Sequence, residues 1–361
     1  MPSNTPPAKL RIAQVAPLWG AIPPKTYGGI ELLVHLMVEE LVHRGHEVTL
    51  FASGDSETSA TLHPICEENV TEVMRRGESY EYDYYASAAL TEVLRRQDSF
   101  DVVHCHLGAS KIPFSAVARI PLVHTLHTAV TQDDAWVLQR YPEAILVGVS
   151  HTQLAPLPEE IRRRLQVSSN ACDFDTYDLA TAPGEYLVFL ARMGEHKNPA
   201  DAIKIAAAVG LPLVLAGRPQ SSAEEAYFRE QIEPHIDGKQ VRYVGGVNHA
   251  QKRELFRNAA AFLFPTSWAE PCAVAPIEAM ASGLPVIAYR NGSVPEVIDH
   301  GITGVYADSL EELIQLVPQA LALDRRAIRE HARKRFSHQR MVDDYLQIYQ
   351  NAVSASSRGE T

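Results

Sequence analysis

Only four cysteines occur in the 361 residues, and Cys66, Cys105, Cys172 and Cys272 form no CxxC pair. That scatter argues against a disulfide framework and against a thiolate zinc site, and makes the cytoplasm the expected location. No apolar run approaches the roughly 20 residues of a membrane span. The opening MPSNTPPAKL has no apolar signal core ahead of the first strand-like run. Basic residues are in deficit, 33 Lys+Arg against 44 Asp+Glu, for a formal net charge of −11. Nucleic acid is therefore not an expected partner. The deficit is concentrated in residues 1–180, with 14 basic against 23 acidic residues, a poor platform for anionic lipid, so no stable membrane association is expected. The GxGxxG fingerprint is absent too, which argues against a nicotinamide enzyme. No short tandem repeat or low-complexity segment is present.

What is present is an ordinary globular composition, 46% hydrophobic and 21% charged, in a chain too long for one core. Apolar runs alternate with amphipathic stretches. LRIAQVAP (10–17) reads as a strand, IELLVHLMVEELVHRG as a helix closed by Gly45, and HEVTLFA (46–52) as the next strand. FDVVHCHL (100–107), PLVHTLH (121–127) and AILVGVS (144–150) continue the series. The pattern restarts at EYLVFLARM (185–193) and runs through LPLVLAG (211–217), QVRYVGG (240–246), AAFLFP (259–264) and LPVIAYR (284–290) to TGVYA (303–307). Strands apolar throughout and alternating with helices indicate parallel sheets covered on both faces.

The expected fold class is α/β, two Rossmann-like doubly wound domains facing across a cleft. The boundaries read as 1–178 for an N-terminal domain, 179–335 for a C-terminal domain and 336–361 for a last helix. The aperiodic NACDFDTYDLATAPGE (170–185) reads as the connection between them.

Chemistry-bearing residues fall at strand ends, where open α/β sheets bind ligands. Arg192 follows one strand, and Lys197 precedes Asn198-Pro199, a helix entry with proline in the first turn. Two cations beside a helix N-terminus suit a diphosphate, although an isolated pair of this kind is more often two solvated charges. Glu270 lies in the loop after AAFLFP, and Glu278 about two turns into the following helix if that helix begins near Cys272. A carboxylate accepts both hydrogens of a diol, so Glu278 suits a ribose and Glu270 whatever the diphosphate carries; a surface glutamate is the plainer reading. Gly28 and Gly29 precede a helix, as a close approach to phosphate or as a tight turn. His104 and His106 share one face of their strand, and without a third ligand at a suitable spacing they read as packed histidines and no metal is expected. His127 ends its strand, placed for a sugar hydroxyl or an acceptor.

These residues resemble those of family 4 glycosyltransferases, retaining enzymes of the two-domain GT-B fold. EPCAVAPIEAMASGLPVIA followed by NGSVPEVIDHGITG is similar to that family's E-x7-E segment. The opening block RIAQVAPLWGAIPPKTYGGIELLVHLMVEELVHRGHEVTLFASGDS is similar to a bacterial subgroup that includes pterin (tetrahydrobiopterin) glucosyltransferases and an avilamycin-pathway transferase. The resemblance implies transfer of a hexose from a nucleotide diphosphate sugar, UDP-glucose by subgroup, to a hydroxyl of a small acceptor, with no separate cofactor. It implies an acceptor-side N-terminal domain, a donor-side C-terminal domain and a last helix crossing back to the first, with diphosphate binding by Arg192 and Lys197, ribose binding by Glu278, and Glu270 at the sugar. The backbone N–H groups of Cys272, Ala273 and Val274 would lie near sugar and phosphate. Val247 would meet the base, Gly29 the phosphates, and His127 the C6 side of the sugar. Cys272-Ala273 replaces the family's Phe-Gly and Asn170-Ala171 its Asn-Gly; a Cβ at residue 273 would crowd the sugar if that position needs φ > 0. The rival readings are a GT-B sugar-nucleotide epimerase and a nucleotide-binding relative that no longer turns over.

Overall fold

The computed structural model describes residues 9–25, 28–79 and 81–358, which divide into two compact units. The first draws on 1–149, 154–168 and 341–361, the second on 150–153 and 169–340.

Seven strands form the sheet of the first unit: β1 (Arg11–Val15), β2 (Glu47–Ser53), β3 (Thr61–Cys66), β4 (Val102–Cys105), β5 (Leu122–Leu126), β6 (Ile145–Gly148) and β7 (Gln166–Val167). Their order is β3-β2-β1-β4-β5-β6-β7, every neighbouring pair parallel. β4 and β5 are buried along their whole length, which is why they read as uninterrupted apolar runs. The two edge strands escape that reading. β3 carries Pro64, tolerated only where no ladder donor is needed, and β7 is two residues long.

The second unit repeats the winding with β8 (Tyr186–Leu190), β9 (Leu213–Ala216), β10 (Val241–Gly245), β11 (Ala259–Phe264), β12 (Val286–Tyr289) and β13 (Gly304–Ala307). The order is β10-β9-β8-β11-β12-β13, again all parallel. Leu187, Phe189, Leu215, Leu263 and Ile287 from the strands bury against Ile205, Leu313 and Val317 from the helices, each worth about 1.5–3 kcal/mol of transfer free energy.

Two segments pack away from their sequence neighbours. Residues 170–180 carry no period, yet Ala171, Cys172, Phe174, Tyr177 and Ala180 are buried in the second unit. Arg329 clamps them there by donating to the carbonyls of Phe174 and Tyr177 and to that of Ala281. In the last helix, His338–Ser357, the buried Met341, Val342, Tyr345, Leu346, Ile348, Tyr349 and Ala352 form one stripe at helical spacing. From residue 341 onward that helix belongs to the first unit. No helix among the described residues is long and apolar enough to cross a membrane.

Candidate functional site

In the second sheet the winding reverses between β8 and β11, which lie side by side. Ligands of open α/β sheets bind outside the carboxyl ends of strands at such a reversal. Arg192 and Lys197 follow β8; Glu270 and the helix carrying Glu278 follow β11. Residues more than seventy positions apart in the chain are thus brought to one edge by topology.

Lys197 is held by an unusual helix entry. Asn198 sits in the left-handed region (φ 57°, ψ 51°), and its side chain caps the helix Pro199–Val209 by accepting from the Asp201 N–H at 3.3 Å. Asparagine tolerates this conformation better than most residues. Lys197 forms an ion pair with Glu270, both side chains nearly buried, and its ammonium lies 5.3 Å from the centre of the Trp268 ring. Burial and the Arg192 cation push the Lys197 ammonium below its ordinary value, with Glu224 acting the other way. Arg192 is 3.4 Å from the Glu224 carboxylate and donates to His196 Nε2 at 3.1 Å. Burial, Lys197 and Arg192 depress His196, which suits this acceptor role. The His196 carbonyl in turn accepts from Ser267 N–H and the Thr266 hydroxyl, both at 3.0 Å, tying the β8 loop to the β11 loop.

Gly292 sets the backbone of Glu270. It has φ 53°, and a Cβ there would lie 2.5 Å from the Glu270 nitrogen. The next residue's N–H, Ser293, donates to the Glu270 carbonyl at 3.0 Å. Gly292→Ala should therefore destabilise by about 1–3 kcal/mol and displace the Glu270 loop. Gly301→Ala is the control: its φ is 77°, but the nearest atom to an added Cβ is a flexible glutamine tip at 3.6 Å. Urea unfolding of both variants checks this, and equal losses would remove the steric part of the argument.

The helix after the loop is Val274–Ala281, so Glu278 lies little more than one turn in, not two. Its N-cap is Ala273 at φ −72°, ψ 134°, and no side chain caps it. At residue 273 this backbone has no positive φ and accepts alanine without strain. Cys272 is buried, and its carbonyl accepts from the Asn170 amide at 2.6 Å. Glu278 is not a surface residue: at 4% exposure its Oε1 accepts from the Tyr177 hydroxyl at 2.8 Å and pairs with Lys252. Burial and the Glu278 charge raise the Tyr177 phenol far above its usual range, so it stays a donor.

Val247 lies half-buried just beyond β10, ahead of Asn248, which caps the helix His249–Asn258. In the first unit Gly29 is the first residue of the helix Gly29–His43. Gly28 has an extended φ of 166°. A Cβ there would meet Pro24 and the Glu31 carboxylate at 2.8 Å, so close packing accounts for this glycine. His127 follows β5 and lies 2.9 Å from His106 through its Nε2; burial pushes it down to about 4. Among the described residues no group of three His, Cys, Asp or Glu is arranged to hold a metal ion.

Glu224, His196, Tyr177, Lys252 and Gly292 are not among the residues the sequence points to. Gly292, in the segment after the E-x7-E stretch, had a signal of its own; the others act through pairings that no local spacing records.

Two families match in tandem. The one described as "Glycosyltransferase Family 4" matches residues 27–168, and "Glycosyl transferases group 1" matches residues 180–335. D-inositol 3-phosphate glycosyltransferase of Mycolicibacterium smegmatis is 26% identical, over 91% of this chain and 87% of its own. Among solved structures, a glycosyltransferase involved in avilamycin A biosynthesis superposes with a TM-score of 0.72 at 23% identity, covering 96% of this chain and 98% of its own. Anabaena HepE in complex with UDP and glucose gives a TM-score of 0.70 at 15% identity, covering 94% and 99%.

Proposed function

We propose that this chain, whose two halves match glycosyltransferase families in tandem, is a retaining family 4 enzyme of the GT-B fold that moves a hexose, glucose, from a uridine diphosphate sugar to a hydroxyl of a small acceptor. The observation that carries this reading is the gathering of Arg192, Lys197, Glu270 and the Glu278 helix at the reversal of the second sheet. The curated relative is named as a glycosyltransferase, and the Anabaena protein holds UDP and glucose.

In the proposed reaction the bond from the sugar's anomeric carbon to the diphosphate breaks as the acceptor oxygen bonds to that carbon on the same face. The acceptor's proton passes to the departing phosphate oxygen. Charge grows on the diphosphate, and Arg192, Lys197 and the uncapped amides at Val274 are the preorganised groups that stabilise it without a metal ion. Glu278, oriented by Tyr177 and Lys252, takes the ribose diol; Glu270 and the Cys272–Val274 backbone meet the sugar, and Val247 the base. Gly29 and His127 are the proposed ligand contacts of the first unit.

Thermal unfolding with UDP, GDP, ADP and dTDP tests the donor half. One nucleotide at a hundred times its dissociation constant should add about 2.7 kcal/mol, and an Arg192→Ala/Lys197→Ala variant should lose the gain. A folded sample that responds to none of the four overturns the donor site. The anomeric configuration of the product then decides retention.

A further inference from the structure

A chain of polar side chains runs through the core of the first unit. The Tyr345 hydroxyl lies 2.8 Å from Thr125 Oγ1, which lies 2.7 Å from His104 Nε2. His104 Nδ1 is 2.6 Å from the Tyr349 hydroxyl, itself 3.0 Å from Gln14 Nε2. Gln14 Oε1 is 3.0 Å from His106 Nε2, and His106 Nδ1 is 2.9 Å from His127 Nε2. Gln14, His104, His106, Thr125, Tyr345 and Tyr349 are all buried.

Each of these bonds holds one proton, and a neutral imidazole donates from one nitrogen and accepts at the other. Fixing the direction of a bond at one nitrogen of a neutral imidazole therefore fixes the bond at the other. Met37 supplies that direction. Its thioether sulfur, which can only accept, faces the Gln14 amide nitrogen at 3.6 Å. Gln14 Oε1 must then accept from His106 Nε2–H. His106 Nδ1 is left with a lone pair and accepts from His127 Nε2–H. On the other branch Tyr349 accepts from Gln14, and its single proton has two acceptors in reach, His104 Nδ1 at 2.6 Å and the Met37 sulfur at 3.6 Å, so the His104 tautomer plays no part in fixing that of His127. The rings stay neutral because burial depresses all three. The chain ends at His127 Nδ1, a buried nitrogen with no hydrogen-bond partner.

We propose that Gln14, oriented by Met37, is a positioning residue that locks His127 as its neutral Nε2–H tautomer, so that the ring's remaining nitrogen meets a ligand only as an acceptor. The chemistry that fits it is a hydroxyl. A carbonyl or carboxylate placed there finds no donor. The choice of a sugar as the ligand rests on the glycosyl-transfer reading; the tautomer does not.

Long-range proton–nitrogen correlation on the full chain labelled with nitrogen-15 histidine reads the tautomer directly, the His127 signal being identified by its loss in His127→Phe. The expected pattern at neutral pH is a bare Nδ1 and a protonated Nε2, with no averaging between forms. A protonated Nδ1, or fast averaging, overturns the proposal. Gln14→Leu should release His127 into a mixture of tautomers. Met37→Leu keeps the bulk, removes only the sulfur and should do the same, so the test survives if the first variant does not fold. An unchanged signal in both variants overturns the role of Gln14. Saturation with UDP-glucose should shift Nδ1 toward the position of a hydrogen-bonded nitrogen. Thermal stabilisation by UDP-glucose without that shift sinks the hydroxyl assignment alone, and absence of stabilisation counts against the donor reading and leaves the tautomer result standing.

Discussion

Between pH 6.5 and pH 5 the first unit should lose stability steeply, about 3 kcal/mol from His124 and His127, with His104 and His106 adding to the loss. Four histidines are responsible. Burial lowers His104 and His106 well below their ordinary value, His124 to about 3 and His127 to about 4; neighbouring histidines lower the first two further. In the unfolded chain each takes a proton near pH 6.5, whereas in the fold it stays neutral. The unfolded state therefore binds more protons, and stability rises with pH across this window and is lost as pH falls below 6.5. One histidine held neutral down to pH 5 costs about 2 kcal/mol there. His124 and His127 together approach the lower end of a typical domain's stability, about 5–15 kcal/mol, and His104 and His106 act in the same direction. Trp19 and Trp136 lie in the first unit and Trp268 in the second, so a Trp268→Phe chain reports the first unit by fluorescence. Its urea midpoint should fall steeply from pH 6.5 to pH 5, and His124→Gln should remove about one proton from the slope. A midpoint flat over that window would show that the histidines titrate freely in the fold.

The histidines also mark how far the sequence could be read. Alternation along β4 puts His104 and His106 on one face, and their rings are 4.0 Å apart. Absence of a third ligand at suitable spacing favours packing over metal, and both rings are buried and hydrogen-bonded. The wiring was out of reach, because Tyr349 is 245 positions from His104 and Tyr345 is 220 from Thr125. A helix stripe of tyrosines reads as core, and nothing local says that the hydroxyls are used. The strands were legible for a related reason in reverse. Both faces of β11 are buried, so its six residues must be apolar whatever surrounds them, whereas β3 at an edge escapes that demand and its Pro64 hides it.

At the candidate site the residue types were legible and their occupancy was not. Glu278 was read as a carboxylate waiting for a diol. Its Tyr177 partner, 101 positions away, comes from a stretch that looks like a connector. In the sequence Arg192 and Lys197 read as two cations beside a helix N-terminus, yet each faces a carboxylate, Glu224 and Glu270. A site for an anion that holds its cations against acidic side chains has a physical advantage. Two cations desolvated side by side repel each other, and a nearby carboxylate offsets that until a diphosphate replaces it.

That exchange makes the Lys197–Glu270 pair the second large effect. With both side chains about nine-tenths buried, removing one partner strands a charge, at about 3–5 kcal/mol for a buried pair. Lys197→Met should cost about that much. Replacing both, Lys197→Met with Glu270→Gln, should cost clearly less than the two single losses added together, because no charge is left behind. Ligand affinity should split differently. If a diphosphate takes Lys197 from Glu270, Lys197→Met weakens nucleotide binding by roughly 10- to 100-fold, the worth of one charge-assisted hydrogen bond. Glu270→Gln should leave that affinity unchanged or tighter, since it frees the ammonium, while lowering turnover if Glu270 takes its proposed place at the sugar. Calorimetric titration of the nucleotide selected by the thermal screen separates these outcomes. Equal weakening in both single variants would mean that the pair only braces the loops after β8 and β11, and that Lys197 never leaves Glu270 for a phosphate.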